Sequence, residues 1–200
     1  MQSNTSVFSN HNELVSVSDK ENKLSHKGLV IWMTGYSGSG KTTLAYHLEK
    51  KLFDKGILTK VLDGDVLRTG INKDLGFSAE DRTENIRRTA EMAKELASCG
   101  IVVICSLITP TNALRLLAEN IIGQNYFKLY HISTPLDICE QRDVKGHYAK
   151  ARSGELKNFT GISNPFEMPT TATFNIDTSN STINKSTGVL FDDIFPLITI

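Results

Sequence analysis

The sequence predicts an α/β domain: a parallel sheet of about five strands, covered by helices on both faces and completed by a mobile lid. Three observations carry this. Short apolar runs alternate with amphipathic stretches of helical period, as in sheets whose parallel strands are joined by crossover helices. A glycine-rich pattern, GxxxxGK[ST], falls between the first apolar run and the first helical stretch. A long polar segment then interrupts the alternation before the last short strand.

Taken in order, Leu29 to Met33 reads as a buried strand, and Thr42 to Lys55 as a helix with Leu44, Ala45, Leu48 and Leu52 on one face, ended by Gly56. Ile57 to Leu62 is the second strand and runs into Asp63-Gly64-Asp65, a turn sequence. Ser78, with Asp81 three residues on, opens a helix over Glu80 to Ser98 that stops at Gly100. The strand Ile101 to Ser106, a helix near Ala113 to Ile122, the strand Phe127 to Ile132 and a helix near Leu136 to Arg142 come next. From there through Thr171 the chain is polar with few periodic apolar residues, which predicts a long lid-like loop. A strand at Phe174 to Ile176 and a helix near Val189 to Phe195 close the domain.

Residues 1–27 differ in composition: rich in Ser, Asn, Lys and Glu, without strand or helix period, they read as a flexible polar tail ahead of a single domain at 28–200. The tail lacks the apolar core of a secretory signal, and its acids argue against a transit peptide, so the cytoplasm is the expected location. Lys+Arg and Asp+Glu both number 22, leaving no net charge. Without a basic excess, duplex nucleic acid and acidic membranes are not expected partners. No apolar run reaches the roughly 18 residues that cross a bilayer. Cys99, Cys105 and Cys139 form no CxxC pair and read as reduced core residues.

The glycine-rich pattern is Gly35-Tyr36-Ser37-Gly38-Ser39-Gly40-Lys41-Thr42, followed by Thr43. Glycines let the backbone wrap a phosphate with successive N–H groups inward, and the adjoining helix presents its positive end to the same anion. Lys41 reaches the β and γ phosphates of a nucleoside triphosphate, and the Thr42 hydroxyl suits Mg²⁺. A GTPase would carry an NKxD motif, but Asn72-Lys73-Asp74-Leu75 has its acid one place early and no strand before it. A motor ATPase needs more chain. A small P-loop kinase remains. Arg68, Arg82, Arg87 and Arg88, with Arg142 and Arg152 near the lid, offer the positive charge that phosphoryl transfer gathers from several segments. For Arg87 and Arg88 a solvated helix face explains the charge equally well. Asp63 and Asp65 stand at a strand's carboxyl end, where open α/β sheets bind ligands. One can hold Mg²⁺ through a water; the other can take a proton from an acceptor hydroxyl.

The runs Asp63-Gly64-Asp65-Val66-Leu67-Arg68, Asn72 to Ser78, Asp81 to Arg88, Cys139 to Gly146, Lys150 to Glu155 and Phe159-Thr160-Gly161-Ile162 together resemble the adenylylsulfate kinase family over Lys27 to about Asp177. The resemblance implies transfer of the ATP γ-phosphate to the ribose 3′-hydroxyl of adenosine 5′-phosphosulfate (APS), giving 3′-phosphoadenylyl sulfate (PAPS) and ADP, in a Mg²⁺-dependent homodimer. It implies catalytic roles for Lys41, Asp63 and Asp65, and an ATP site of Gly35 to Thr43 with Arg142. It further implies an APS site of Asp65, Arg68, Phe77, Arg82, Asn85, Ile108, Thr109, Lys145, Asn158 and Phe159. Phe77 and Phe159 would sandwich adenine while Arg68, Arg82 and Lys145 meet the phosphosulfate. The chain departs from many bacterial members at Thr109-Pro110-Thr111-Asn112, where those members carry Ser-Pro followed by an aromatic residue and an Arg; only Arg115 remains here. No base stands near Thr109, so it is expected to position substrate and not to carry phosphate. Tyr36 replaces the usual Leu. Two other readings stay open at this stage: a related kinase of another nucleotide, and an inactive nucleotide sensor or scaffold, for which ATP sulfurylase would be a functional partner.

Overall fold

A computed structural model describes residues 15–200. Within it β1 (Leu29–Thr34), β2 (Thr59–Asp63), β3 (Val102–Ser106), β4 (Phe127–Ile132) and β5 (Phe174–Ile176) form one sheet in the order β2-β3-β1-β4-β5. Every pairing is parallel. The five strands fall where the sequence predicts them. Because side chains alternate along a strand, Leu29, Ile31 and Met33 of β1 face one layer and Val30 and Trp32 the other. The first layer is closed by α2 (Lys41–Phe53) and α8 (Ile183–Ile198), whose Leu44, Leu48, Leu190 and Ile194 are fully buried or nearly so. The second is closed by α4 (Ala79–Ala97) and α5 (Asn112–Ile122). Ala90, Ala93 and Ala97 let α4 lie close against the strands. The chain passes from β1 through α2 to β2 on one side of the central strand, and later from β3 through α5 to β4 on the other side. That divergence opens a crevice at the strands' carboxyl ends.

Three differences from the sequence expectations have clear causes. Asp63-Gly64-Asp65 is the start of a short helix, α3 (Gly64–Thr69), and not a simple turn. The Asp63 carboxylate accepts the Asp65 and Val66 N–H groups at 2.9 and 3.4 Å and so supplies the helix cap. The terminal helix starts six residues early because the Thr182 hydroxyl caps it at Lys185 N–H, ahead of the apolar positions that mark its packed face. The lid region contains α7 (His147–Arg152), preceded by α6 (Leu136–Arg142), and a small apolar cluster of Cys139, Tyr148, Ala151 and Phe159. Cys99 also departs from expectation: it is exposed, whereas Cys105 and Cys139 are buried.

The flexible tail expected for 1–27 needs a larger correction. Residues 1–14 lie outside the described residues, but α1 (Val17–Leu24) is a helix with a reciprocal cap between Ser16 and Asp19. It has only two apolar residues, Val17 and Leu24, with Leu24 set against Gly100, too few to announce an apolar period. The stretch from His26 to Gly28 is docked: Lys27 N–H donates to Ile198 O at 2.7 Å and Gly28 N–H to the Glu21 carboxylate at 3.0 Å. His26 is fully buried, and its Nε2 accepts the Leu58 N–H at 3.0 Å, tying the segment to the start of β2. Among the described residues no helix is long and apolar enough to cross a membrane.

His26 tests this docking. His26→Ala leaves a part-buried backbone N–H without an acceptor and should cost about 1–3 kcal/mol in urea unfolding. A curve superimposing on that of the parent protein would mean that the segment contributes nothing to the fold.

Candidate active site

At the end of β1 the chain must turn beneath the neighbouring strand. A side chain at Gly35 would place its Cβ 2.5 Å from Ile132 O, so only glycine fits. At Gly40 the backbone takes φ +98°, a left-handed conformation that starts α2 with its free N–H groups turned to the loop. The Lys41 side chain, first in that helix, folds back under the loop. Its ammonium donates to Gly35 O at 2.9 Å, Tyr36 O at 2.7 Å and Ser39 Oγ at 3.4 Å. Burial pulls its pKa down to about 8, opposed by the nearby Cys139, Asp63 and Asp65.

The next residue carries the link to β2. Thr42 Oγ1 donates to Asp63 Oδ2 at 2.7 Å and lies 3.3 Å from Ser106 Oγ at the end of β3. Asp63 is buried and uses its other oxygen to cap α3, so one carboxylate fixes both the Thr42 hydroxyl and the direction of the helix bearing Asp65. A hydroxyl beside a carboxylate is a set of hard oxygen donors of the kind Mg²⁺ accepts. Among the described residues there is no cluster of three or more His, Cys, Asp or Glu placed for a metal. A cation here would therefore take most of its ligands from phosphate and water.

Opposite the loop, α3 and α4 build a second wall. Arg68 donates to Leu75 O and Gly76 O at 3.1 and 2.8 Å and lies 4.3 Å over the Phe77 ring. Arg82 bonds Phe77 O at 3.1 Å, Thr160 Oγ1 at 3.3 Å and Asn158 O, joining α4 to the lid. Burial lowers both guanidinium pKa values, yet Arg stays charged at any physiological pH. Asn85 is held by Asn72 Nδ2, which donates to its Oδ1 at 2.9 Å. Lys145, at the lid's near end, pairs with Asp65 across the opening.

These walls enclose one cavity of about 580 Å³, the size of a small-molecule site. All ten residues expected on the acceptor side line it: Asp65, Arg68, Phe77, Arg82, Asn85, Ile108, Thr109, Lys145, Asn158 and Phe159. On the loop side Ser37, Gly38, Gly40, Lys41, Thr42, Thr43 and Arg142 line it, as does Asp63. Gly35, Tyr36 and Ser39 stand behind this wall, and the Tyr36 ring turns away to pack on Phe166 at 4.7 Å. The expected aromatic pair is unequal: Phe77 is half-exposed, whereas Phe159 is 8% exposed and packs edge-on against Tyr148 at 4.9 Å. Thr109 is buried at φ +42°, and its Oγ1 accepts the Trp32 indole N–H at 2.9 Å. Arg87, Arg88 and Arg152 lie outside the cavity. Arg87 and Arg88 hold Glu84, Arg88 also holds Asp74, and Arg152 pairs with Glu140.

Several supports had escaped sequence reasoning. Thr134 and Thr178, just past the ends of β4 and β5, both donate to Ser39 O, at 3.0 and 2.9 Å. Tyr148 Oη donates to Ser37 O at 2.9 Å, while Arg142, already expected on the ATP side, reaches from α6 to Thr178 Oγ1 at 2.9 Å and Gly38 O at 3.3 Å. The rule that ligands collect at strand carboxyl ends would have flagged Thr134 and Thr178. Tyr148 carries no such signal.

Comparison with known proteins agrees with this geometry. The family model for adenylylsulphate kinase matches residues 27–177. An adenylyl-sulfate kinase of Phocaeicola vulgatus is 48% identical over 192 residues, covering 96% of this chain and 94% of that protein. One from Bacteroides fragilis is 46% identical over 199 residues, covering 100% and 98%. The solved APS kinase of Mycobacterium tuberculosis, in complex with AMPPNP and APS, superposes with a TM-score of 0.82 at 43% identity, covering 84% of this chain and 98% of that one.

The Lys41 environment makes a measurable prediction. With a pKa of about 8, roughly half of the ammonium groups are neutral at pH 8, and bound phosphates raise that pKa. Calorimetric titration with a non-hydrolysable nucleoside triphosphate in two buffers of different ionisation heat should show uptake of up to about half a proton, lost in Lys41→Arg. Heats independent of buffer would contradict the buried, part-neutral lysine.

Proposed function

From the premise that this chain belongs to the adenylylsulfate kinase family, we propose how each wall of the cavity serves the reaction, in which the ATP γ-phosphate passes to the ribose 3′-hydroxyl of APS to give PAPS and ADP. The observation that carries the reading is continuity: one cavity joins a phosphate loop to a wall bearing two arginines, a lysine and an exposed aromatic ring. Donor and acceptor can lie in it end to end.

ATP lies along the backbone of Ser37 to Thr43, with the Lys41 ammonium at the β–γ bridge and Arg142 at the outer edge. In leaving the carbonyls of Gly35 and Tyr36 for phosphate oxygens, Lys41 exchanges neutral acceptors for charged ones, which are stronger. Mg²⁺ would be held by the Thr42 hydroxyl, by Asp63 through a water and by the phosphates. When bound it neutralises charge on the transferring group. The phosphosulfate of APS meets Arg68 and Arg82. Adenine packs between the half-exposed Phe77 ring and Phe159, and Arg68, which rests 4.3 Å over Phe77, leaves that ring for the phosphosulfate. Phe159 borders the base from the packed side of the lid, next to Asn158.

Asp65 is the base. Its carboxylate must be freed from Lys145, and the incoming phosphosulfate offers Lys145 another anion. The freed carboxylate accepts the 3′-hydroxyl proton as the oxygen attacks phosphorus in line with the departing ADP. Thr109 shapes the pocket, its hydroxyl engaged by Trp32. A cytoplasmic location suits three free thiols, and a homodimer is the assembly the family likeness leads us to expect.

The direct assay mixes the protein with Mg²⁺, ATP and APS and follows ADP and PAPS, with other nucleotides as acceptor controls; equal turnover with adenosine 5′-monophosphate would overturn the acceptor assignment. Within the same assay Asp65→Asn should lower kcat by about 10²-fold or more with little change in KM. Arg82→Ala should chiefly raise the KM for APS. If both variants altered ATP affinity alone, the acceptor wall would be misplaced.

A further inference from the structure

Resting on the kinase reading above, we propose that the segment Asn164 to Met168 is a strap that couples the acceptor end of the lid to the phosphate loop, with Phe166 and Arg115 as positioning residues for Lys41. The strap begins where the acceptor clamp ends: Gly161 N–H donates to Asn164 O at 2.7 Å, and Thr160 and Asn164 form a bridge. Thr160 and Asn158 are also the residues that Arg82 holds. At the other end the strap is bound to the loop after β3. Glu167 N–H donates to Pro110 O at 2.8 Å, and the Glu167 carboxylate accepts Asn112 N–H at 2.7 Å.

Between these anchors, Phe166 enters a slot with a different element on each side. Tyr36 of the phosphate loop lies 4.7 Å away, His131 at the end of β4 stacks on it at 5.7 Å, and the Arg115 guanidinium sits 4.9 Å over the ring. Arg115 is 3% exposed and has no carboxylate partner among the described residues. It donates to Glu167 O at 2.6 Å, Asn112 Oδ1 at 2.8 Å and Thr34 Oγ1 at 3.4 Å. Burying a cation is costly, a penalty that the nearby Glu167 carboxylate only partly offsets, and here that cation is committed to the strap and to the last residue of β1. The Tyr36 carbonyl is an acceptor for the Lys41 ammonium at 2.7 Å, so the ring that fixes Tyr36 also fixes the rest position of Lys41. The chain's departures at Thr111 and Asn112 fit this arrangement: Thr111 caps α5 and Asn112 holds the strap.

The coupling predicts a signature that a merely packed phenylalanine would not give. In Phe166→Ala, turnover of APS should fall about ten- to a hundredfold, since small misplacements of reacting groups cost that much. ADP should form in excess of PAPS, because a lid no longer tied to the loop admits water. Phe166→Tyr should restore both. Phe166→Leu, which keeps the apolar volume but not the ring, and Arg115→Met should show the same excess of ADP when each is assayed well below its own melting temperature. PAPS formation by the parent protein, measured alongside, tests the kinase reading separately. Parent-like turnover and one-to-one product ratios in Phe166→Leu and Arg115→Met would overturn the proposal. So would losses that track melting temperature across the series.

Discussion

The buried ammonium of Lys41 is the constraint around which this molecule is arranged. A charge with little access to water must be surrounded by acceptors, and here Gly35 O, Tyr36 O and Ser39 Oγ provide them. Those acceptors stay in place only if the loop holds its shape, and each part of the shape is fixed from outside. Ile132 O leaves no room for a side chain at Gly35, Thr134 and Thr178 hold Ser39 O, and Tyr148 holds Ser37 O. Strand ends and the lid thus converge on one loop of backbone. The parallel sheet is what brings those ends to one edge.

Division of labour between the two acids arises from the same geometry. Asp63 is buried and spends both oxygens on structure, one on Thr42 and one on the cap of α3. Asp65, two residues on, is mainly exposed and pairs with a lysine from the lid. The first is suited to hold a cation's water shell without moving, and the second to exchange partners when substrate arrives. The start of a short helix, unannounced by any apolar period, sets their separation.

Much of the sheet was legible in the sequence because buried parallel strands are continuous apolar runs, and the phosphate loop because its glycines stand between a strand and a helix. The ten acceptor-side residues were placed by resemblance, and the cavity gathers all of them. What stayed hidden depends on contacts far apart in the chain. Helix α1 carries only two apolar residues, Val17 and Leu24, and is held by its cap and by Glu21 and His26, so periodicity could not reveal it. The strap is an irregular segment whose order comes from Arg115, far earlier in the chain. Phe159 reads as a loop aromatic, but its burial against Tyr148 appears only once the lid is folded.

Central to this account is a single direct transfer within one cavity, with the P-loop fixing the γ-phosphate and Asp65 directing the 3′-hydroxyl at it. A relay through Thr109 would need a base to take its hydroxyl proton, and among the described residues that hydroxyl has no acceptor and receives only the Trp32 indole N–H. The most direct measurement is transfer of an isotopically chiral γ-phosphate from ATP to APS. Inversion of configuration at phosphorus is the predicted result. Retention, accompanied by a phosphorylated Thr109 that forms and decays at the rate of turnover, would contradict it.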